Sequence, residues 1–451
     1  MMSNWRVLVA NRGEIAVRII KACKEMGIET VVTVSESDRG SLPAKLASRA
    51  VCIGPPRSID SYLKVGTIIA AALGTNSNAI HPGYGFLCEQ PELAEACVQN
   101  GIIFIGPTAD NIRKMGDKDL ARKIAEEAGV PIIPGSDVVQ NYEEAVTASE
   151  RVGYPVLLKA AAGGGGRGIL IVRTLNDLKT SFDVSSAEAY AAFGDDRLYI
   201  EHLFDNARHI EVQVLGDQFG NVIHLGERDC SVQRRYQKIV EEAPSPIVST
   251  ELRQEMTSAA LAIANYIRYE SAGTVEFIID LNSHKFYFME MNTRIQVEHP
   301  VTEMITGLDL IKEQIKIAAK SPLGISQSSV RFNGHAIECR INAESPEAGF
   351  TPCPGKITQW LPPHGPDIRV DTHCFDGYLV PPYYDSLIAK VITAGKNRNE
   401  SIERMKYALA NFAVAGIDTT LPFHRILLNH PDFVNGKVNT RWVEESLLPV
   451  Y

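Results

Sequence analysis

The chain has 451 residues, which is too long for one ordinary hydrophobic core, so we expect roughly two to four domains. Hydrophobic residues make up 45% of it and charged residues 22%, a composition typical of globular proteins. The formal net charge of −9 repels polyanions, and no run of lysine or arginine offsets it, so nucleic acid is not an expected partner. No apolar stretch is long enough to cross a bilayer, and the N-terminus does not have the pattern of a signal peptide.

The eight cysteines include no Cys-x-x-Cys pair. In a chain of this length and apolar content they are typical of reduced thiols, because a large core needs no disulfides. We therefore expect a cytoplasmic protein without structural zinc.

The N-terminal region alternates short apolar runs with helical patterns. An apolar run precedes a helical pattern that ends near Gly27, and a β-branched run follows. This β-α-β order predicts a parallel sheet and an α/β domain, which we place at residues 1–114. Its further expected elements are a helix at 65–73 and strands at 78–80 and 102–105.

The pattern changes after residue 115. A small α+β unit is predicted at about 133–204, after a helix at 118–128. Further on, alternation of apolar and polar residues predicts strands at 208–215, 220–226, 273–280 and 285–291, and helical patterns occur near 250–268, 308–319 and 399–411. We place a second domain at residues 115–330 and a third, mixed domain at residues 331–451.

A glycine-rich segment in the second domain formally matches GxGxxG. It contains Gly163, Gly164, Gly165 and Gly166. A dinucleotide-binding loop needs a helix after its glycines, whereas residues 169–172 predict a strand. The motif is therefore a glycine hairpin between two strands, with Lys159 at the end of the first. Glycines let backbone N–H groups approach phosphate, and a lysine adds a point charge, so the segment indicates phosphate binding; a flexible hairpin tip is the alternative.

Two glutamates are predicted to face each other in a hairpin. Glu276 and Glu290 lie on neighbouring predicted strands at equal distances from Ser283. Opposed carboxylates repel each other unless a cation lies between them. Oxygen ligands of this kind suit Mg²⁺ or Mn²⁺, which would also hold nucleotide phosphates.

From Glu290 onward every second residue is polar or charged. The row comprises Glu290, Asn292, Arg294, Gln296 and Glu298. A period of two places all five side chains on one face if the strand continues. Such a row would bind a metal nucleotide at one end and a small anion beside it, with a base beyond. A solvated strand face with mixed charges is the alternative.

Four further positions are weak candidates by themselves. Lys118 could reach a phosphate, although an exposed helix lysine is equally expected. His209 lies in a predicted strand, where a lone histidine is more often a structural hydrogen-bonding group. The segment 229–238 has the composition of an exposed loop, and Arg340 could belong to a buried ion pair.

Several motifs together resemble the biotin carboxylase family. They are Ala10-Asn-Arg-Gly-Glu-Ile-Ala16, His81-Pro-Gly-Tyr-Gly-Phe-Leu87, Met115-Gly-Asp-Lys118, Gly163 to Gly168, Gly226-Glu-Arg-Asp-Cys230, Glu290-Met-Asn-Thr-Arg-Ile-Gln-Val-Glu-His-Pro-Val-Thr-Glu303, Arg340-Ile-Asn-Ala-Glu344 and Pro382-Tyr-Tyr-Asp-Ser386. The likeness covers essentially the whole chain, in order. The block at 290–303 is specific to biotin carboxylases and their carbamoyl-phosphate synthetase relatives, and the regions of Arg340 and Tyr384 favour the former.

This resemblance implies an α/β and α+β multidomain fold. Residues 1–114 would form a Rossmann-like N-terminal (pre-ATP-grasp) domain. Residues 115–330 would form an ATP-grasp domain with a mobile lid at about 133–204, and residues 331–451 a C-terminal biotin carboxylase domain.

The resemblance also implies roles for the matching residues. ATP would be held by Lys118, Lys159, Gly163, Gly164, Gly165, Gly166, His209, Gln233, Glu276 and Glu290. The hinge that meets adenine would be formed by Glu201, His202, Leu203 and Phe204, largely through backbone groups. Tyr236 stands near the ribose, where several family members carry a histidine. The ligands of Mg²⁺ or Mn²⁺, at two sites, would be Glu276, Glu290 and Asn292.

The remaining implied roles concern bicarbonate and biotin. Bicarbonate would be held by Lys238, Arg294, Gln296 and the Val297 backbone. Glu298 would deprotonate it, and attack on the γ-phosphate would give carboxyphosphate. Arg340 would stabilise the biotin enolate, and Tyr84 would pack near the biotin ring.

The implied partners follow from the same likeness. Because no Met-Lys-Met biotinylation motif is present, biotin would sit on a separate biotin carboxyl carrier protein. Carboxyltransferase subunits would then use acetyl-CoA to make malonyl-CoA for fatty acid synthesis; propionyl-CoA or pyruvate stay open as acceptors. A homodimer with Arg18 near its interface is also implied.

Two other classes of function stay open at this point. One is an ATP-grasp ligase, or a carbamoyl-phosphate-type enzyme, that uses an amine as acceptor. The other is a nucleotide-binding subunit without activity, against which the intact set of Glu276, Glu290, Arg294 and Glu298 argues.

Overall fold

The computed structural model describes residues 5–161 and 169–450, and its N-terminal region is a parallel sheet with flanking helices. The strands are β1 Arg6–Val9, β2 Glu29–Val34, β3 Arg49–Cys52, β4 Ala79–His81 and β5 Ile103–Phe104, and the helices are α1 Gly13–Glu25, α2 Leu42–Leu46, α3 Val65–Gly74, α4 Pro91–Gln99 and α5 Ala109–Gly116. The strand order is β3-β2-β1-β4-β5, with every pair parallel. The predicted β-α-β opening is confirmed.

A small unit with its own core follows helix α6, Lys118–Glu127. Its elements are α7 Tyr142–Val152, β6 Val156–Ala160, β7 Ile169–Val172, α8 Leu175–Phe193 and β8 Leu198–His202. The sheet has the order β7-β6-β8, and its core contains the fully buried side chains of Leu158 and Leu198 from the sheet and of Ala145 from α7. The predicted strands on both sides of the glycines are confirmed, whereas Gly163 to Gly166 lie outside the described residues.

The rest of the chain is organised around one large antiparallel sheet. The elements up to residue 342 are β9 Ala207–Gly216, β10 Val222–Arg234, β11 Gln237–Ala243, α9 Thr250–Tyr266, β12 Ser271–Asp280, β13 Lys285–Asn292, α10 His299–Thr306, α11 Leu310–Ala318 and β14 His335–Asn342. The later ones are β15 Glu344–Ser345, β16 Thr351–Pro352, β17 Gly355–Lys356, β18 Gln359–Leu361, β19 Ile368–Thr372, β20 Leu379–Val380, β21 Leu387–Gly395, α12 Arg398–Ala410, β22 Ala413–Ala415, α13 Leu421–Leu427 and α14 Pro431–Val434.

The large sheet has the strand order β13-β12-β9-β10-β11-β14-β21-β19. It therefore continues across the boundary that we placed at residue 330, because β11 pairs with β14. The exact domain boundaries stay a prediction, and the two C-terminal regions share a sheet.

One expectation about local structure was wrong. The segment 229–238, which reads as an exposed loop, is instead a hairpin of β10 and β11, and most of its β10 part is buried. The turn residues Arg235 and Tyr236 have φ values of 49° and 63°. Two left-handed residues define the tight hairpin turn that usually contains Asn-Gly, so the sequence carries no turn signal here.

The helices bury one apolar face each. Helix α1 packs Ile15, Ile19 and Ile20 against the parallel sheet, and α9 packs Met256 and Ile263 against the large sheet. Within the described ranges, no helix combines the length and the apolar run that crossing a bilayer requires.

A glycine at the end of β9 allows two backbones to approach closely. A Cβ atom added at Gly216 would lie well inside contact distance of the Tyr269 carbonyl oxygen, which is backbone and cannot rotate away. We expect Gly216→Ala to lower the free energy of unfolding by about 1–3 kcal/mol, as overpacking does elsewhere. Thermal unfolding measures this.

Gly66→Ala in α3 is the matched control, because nothing lies within 4 Å of its added Cβ. It should leave the melting temperature unchanged or raise it, since alanine favours helix by up to about 1 kcal/mol. Equal melting temperatures for the two variants would contradict the steric account.

His424 on α13 is a buried histidine whose burial keeps it neutral. Its Nε2 atom lies 2.6 Å from the carbonyl oxygen of Arg340, and the residue is fully buried. Burial lowers its pKa to about 4 from an ordinary value of 6.5.

Acid should therefore destabilise the protein through His424. Between pH 6.5 and about 4 the unfolded chain binds a proton here that the folded chain does not, so stability falls as pH drops through this window. The loss reaches roughly 2 kcal/mol at about pH 5. In His424→Gln, whose amide can donate to the same carbonyl, the melting temperature should fall less from neutral to mildly acidic pH than in wild type. Equal falls would argue against a neutral His424.

Candidate active site

The hairpin of β12 and β13 brings the two predicted glutamates together. Glu276 pairs directly with Glu290 across the strands. Next to the turn Asp280 is opposite Lys285, a register that would not by itself place Glu276 opposite Glu290. A β-bulge between Glu276 and Phe277 shifts the register by one residue and brings the two glutamates opposite each other. The predicted opposition of Glu276 and Glu290 is confirmed.

The row that starts at Glu290 does not stay on one strand. Strand β13 ends at Asn292, and Glu298 is the residue directly before α10. The strand therefore does not continue, so the single face over 290–298 that depended on its continuing does not form. The side chains converge instead through a turn, where Arg294 donates to Asn292 Oδ1 at 2.8 Å and to Gln296 Oε1 at 2.7 Å.

Glu276 is the acceptor to which most of the predicted site connects. Its Oε1 accepts hydrogen bonds from Asn292 Nδ2 at 2.9 Å, Gln296 Nε2 at 3.0 Å and Lys238 Nζ at 2.9 Å. His209 Nε2 lies 2.9 Å from its other oxygen. Burial alone would raise the pKa of Glu276, but Lys238 and His209 hold it well below its usual range.

Lys238 on β11 joins three carboxylates. Its ammonium lies 2.7 Å from Glu211, 2.9 Å from Glu276 and 2.7 Å from Glu298, all of them buried. Arg228, itself fully buried, binds the other oxygen of Glu211. A hydrogen-bonded cation on each carboxylate makes this burial tolerable.

Arg340 on β14 approaches Glu298 from the opposite side. It donates to Glu298 Oε2 at 2.9 Å and to Glu241 Oε1 at 2.5 Å. Burial would raise the pKa of Glu298, yet Lys238 and Arg340 hold it well below the usual range. Glu298 is therefore ionised at neutral pH.

A second set of ionisable side chains beside Glu276 has pKa shifts in the opposite direction. Burial and the charge of Glu276 raise the pKa of Glu290. Burial and the charge of Lys159 lower the pKa of Lys118. Phosphate oxygens would relieve the repulsion between Lys118 and Lys159, and a divalent cation would relieve the repulsion between Glu276 and Glu290. The oxygen atoms of Glu276, Glu290 and Asn292 are the donor set that Mg²⁺ or Mn²⁺ prefers.

The predicted hinge residues lie at the edge of the small unit. Glu201 and His202 end β8, and the Glu201 carboxylate binds Lys159 and, at 3.2 Å, Arg122. The N–H groups of His202 and Leu203 already donate to the carbonyls of Pro134 and Pro155. The Phe204 ring stacks on Tyr287 at 5.0 Å between centroids.

Three further predicted residues lie around this centre. Gln233 is buried near the end of β10 and donates weakly to the Cys230 carbonyl at 3.4 Å. Tyr236 lies at the β10–β11 turn with half of its surface exposed. Tyr84, after β4, donates its hydroxyl hydrogen to Glu14. Burial raises the pKa of this hydroxyl well above its usual range, and the positive charge of Arg340 partly opposes the rise.

Some functional contacts were not predicted from the sequence. Glu89 in the N-terminal region accepts from Arg294 Nε at 2.9 Å and from the Thr293 N–H at 3.2 Å. It lies 205 positions away from Arg294, so no local pattern points to it. Glu211 had a signal, because it alternates with His209 and Gln213 along β9 and therefore shares their face.

Family models match nearly the whole chain. The biotin carboxylase N-terminal domain matches residues 3–112, the ATP-binding domain of the carbamoyl-phosphate synthase L chain matches residues 117–326, and the biotin carboxylase C-terminal domain matches residues 338–445.

Individual relatives agree with these models. Biotin carboxylase 1 of Bacillus subtilis is 55% identical over 440 residues, which cover 97% of this chain and 98% of that protein. The biotin carboxylase–βγ-ATP complex from Campylobacter jejuni has a TM-score of 0.95 and 47% identity over 97% of this chain and 98% of that one. The biotin carboxylase domain dimer of the Hydrogenobacter thermophilus 2-oxoglutarate carboxylase, solved with MgADP, ADP and bicarbonate, has a TM-score of 0.94 and 49% identity over 98% of this chain and 97% of that one. With matches of this extent, the chain belongs to the biotin carboxylase family of ATP-dependent ligases.

Proposed function

We propose that this chain uses ATP and bicarbonate to carboxylate biotin carried on a separate protein, with the residues around Lys238 as its catalytic centre. The observation that carries this assignment is the shared ammonium of Lys238, which joins Glu276, on the metal side, to the ionised Glu298. A base and a metal-binding carboxylate thus both lie within hydrogen-bonding distance of one anion-binding cation. That combination is what deprotonation of bicarbonate beside a nucleotide requires.

Bicarbonate would bind between Lys238, Arg294, Gln296 and the Val297 backbone. The two cations favour the more charged form of the anion, so its remaining proton becomes easier to remove. An anion that takes up hydrogen bonds from Lys238 also weakens the hold of this lysine on Glu298. The pKa of Glu298 then rises toward the range in which a carboxylate can accept a proton.

The deprotonated anion would attack the γ-phosphate of ATP to give carboxyphosphate, with ADP as the leaving group. Lys118 and Lys159 would hold the phosphates with the glycine segment at 163–166, and Glu276, Glu290 and Asn292 would hold Mg²⁺ or Mn²⁺. A bound divalent cation supplies charge neutralisation for the phosphoryl group. His209 and Gln233 complete the nucleotide side, and residues 201–204 with Tyr236 would border the adenosine.

The small unit at about 133–204 would act as a lid. It has its own core and carries Lys159 together with the partner carboxylate Glu201, so the pair moves as one body with the unit. Closure would exclude water from carboxyphosphate, which hydrolyses easily.

Arg340 would bind biotin next to the base. Carboxyphosphate would break down to CO₂ and phosphate, and the phosphate would take the proton of the biotin ureido nitrogen. Arg340 would stabilise the resulting oxyanion, and the nitrogen would then attack CO₂ to give carboxybiotin. Tyr84 would contact the ring from the N-terminal region.

We infer the partners of this reaction from the family likeness. Lys390, a lysine followed by valine in the C-terminal region, is fully buried, so it cannot carry biotin, and a biotin carboxyl carrier protein would present the cofactor. We further propose carboxyltransferase subunits with acetyl-CoA as final acceptor, a homodimer like that of the Hydrogenobacter domain, and a cytoplasmic location. Arg18 is already paired within the chain with Glu303 and Asp309, so it would support a dimer surface from beneath.

Glu298→Gln tests the base directly. With ATP, bicarbonate and free biotin, we expect release of ADP to fall by about 100-fold or more, the usual contribution of a general base. The KM for ATP should change little, because Glu298 contacts the bicarbonate side. Glu347→Gln, at an exposed glutamate, is the control and should behave as wild type.

The acceptor decides between the two catalytic hypotheses. Biotin carboxylation predicts that ADP release by the wild type depends on bicarbonate and increases with biotin. If turnover is indifferent to biotin but increases with an amine, the chain is an amine ligase instead. A Glu298→Gln variant with wild-type turnover would remove Glu298 from the mechanism without deciding the acceptor.

A further inference from the structure

Three distant parts of the chain meet at one buried ammonium. Lys390 on β21 is fully buried, and its Nζ donates to the carbonyl oxygen of Val297 at 2.6 Å. The same Nζ lies 3.2 Å from Glu14 Oε1, in the first turn of α1. Lys390 thus joins the C-terminal region to the N-terminal helix and to the turn before α10.

The register of the large sheet places this lysine beside the site. Lys390 is directly opposite Arg340 on β14 and directly opposite Asp371 on β19. Opposed residues on neighbouring strands share a face, so Lys390 and Arg340 point to the same side. Arg340 holds the Glu298 carboxylate, and Lys390 holds the peptide carbonyl that precedes Glu298. The proposed base is therefore fixed at its side chain and at its backbone by neighbouring cations of one sheet.

The second partner of Lys390 leads to the biotin side. Glu14 Oε1, which faces the ammonium, also accepts the hydroxyl hydrogen of Tyr84. A continuous path of polar contacts thus runs from Tyr84 through Glu14 and Lys390 to the turn that carries Glu298.

A nearby carboxylate shows how much this region depends on the lysine. Both carboxylate oxygens of Glu338 are buried and have no hydrogen-bond partner within the described residues. Burial raises the pKa of Glu338 well above its usual range, and the positive charge of Lys390 opposes this rise most strongly. The Lys390 ammonium therefore contacts Val297 and Glu14 directly and also acts on Glu338 through its charge.

We infer that Lys390 and Glu14 are a positioning pair that fixes the turn of Val297 and Glu298 and couples it to Tyr84. This inference rests on the proposed function. Lys390 contacts none of the reacting groups and acts through the Val297 carbonyl, so occupation of the biotin side affects the geometry of bicarbonate deprotonation. A buried lysine that only balanced charge would have no such effect.

The test uses the full-length chain and measures the KM for bicarbonate, the KM for ATP and the stimulation by free biotin. For Lys390→Met we expect the KM for bicarbonate to rise about tenfold and biotin-stimulated turnover to fall about 10- to 100-fold, as for other residues that orient catalytic groups. The KM for ATP should stay within about twofold, because the nucleotide residues are untouched. Lys396→Met, an exposed lysine just after the same strand, is the control and should match wild type.

Lys390→Met leaves Glu14 without its buried cation and can fail to fold. The charge-balanced variant Glu14→Gln with Lys390→Met separates stability from positioning, because it removes both charges. We expect a melting temperature near that of wild type and the same defect toward bicarbonate. A folded double variant with wild-type KM for bicarbonate and wild-type stimulation by biotin would overturn the inference.

Tyr84→Phe gives an independent reading from the other end of the path. It keeps the ring and removes only the hydroxyl that contacts Glu14. We expect the KM for bicarbonate to rise about two- to threefold, the effect of one lost hydrogen bond that acts indirectly. An unchanged value would overturn the link to Tyr84. Failure of the proposed function would look different, since the wild type itself would then show no stimulation by biotin.

Discussion

Three buried carboxylates share the ammonium of Lys238, and the arrangement of the site depends on this balance of charge. Glu211, Glu276 and Glu298 come from β9, β12 and the start of α10, so one cation holds three separate elements together. Each carboxylate has at least one further cation or donor, supplied by Arg228, His209 or Arg340. Without such partners the carboxylates would take up protons or move apart, because burial of an unpaired charge is costly.

The donors that would bind substrate already have partners inside the protein. Arg294 is held by Glu89, Asn292 and Gln296, and Lys238 by its three carboxylates. Binding therefore exchanges contacts within a preorganised group and does not have to order free side chains, which lowers the entropic cost of reaching the reactive geometry. In the proposed mechanism the same exchange would change the proton affinity of Glu298, so substrate binding would also activate the base.

Much of the fold and the opposed pair of Glu276 and Glu290 followed from local patterns. Symmetry about Ser283 correctly paired Glu276 with Glu290, since a bulge compensates for the actual turn. The predicted strand at 285–291 matches β13, which ends at Asn292, whereas the polar alternation continues beyond it through a turn that tertiary contacts hold. Glu89 and Lys390 were out of reach of sequence reasoning, since each contacts the site from a region remote in the chain. Roles for single residues came from the family likeness, because spacing alone does not distinguish a bicarbonate ligand from a solvated charge.

The continuity of the large sheet has a consequence for how this protein can be divided. Because β11 and β14 are neighbours, a chain ended near residue 330 would lose Arg340 and would also leave the long edge of β11 without its partner strand. Unprotected edges of this kind pair with other chains and aggregate. The small unit at 133–204 could be exchanged between relatives at its connections to the rest of the chain. The second and third regions share one sheet and would have to be exchanged together.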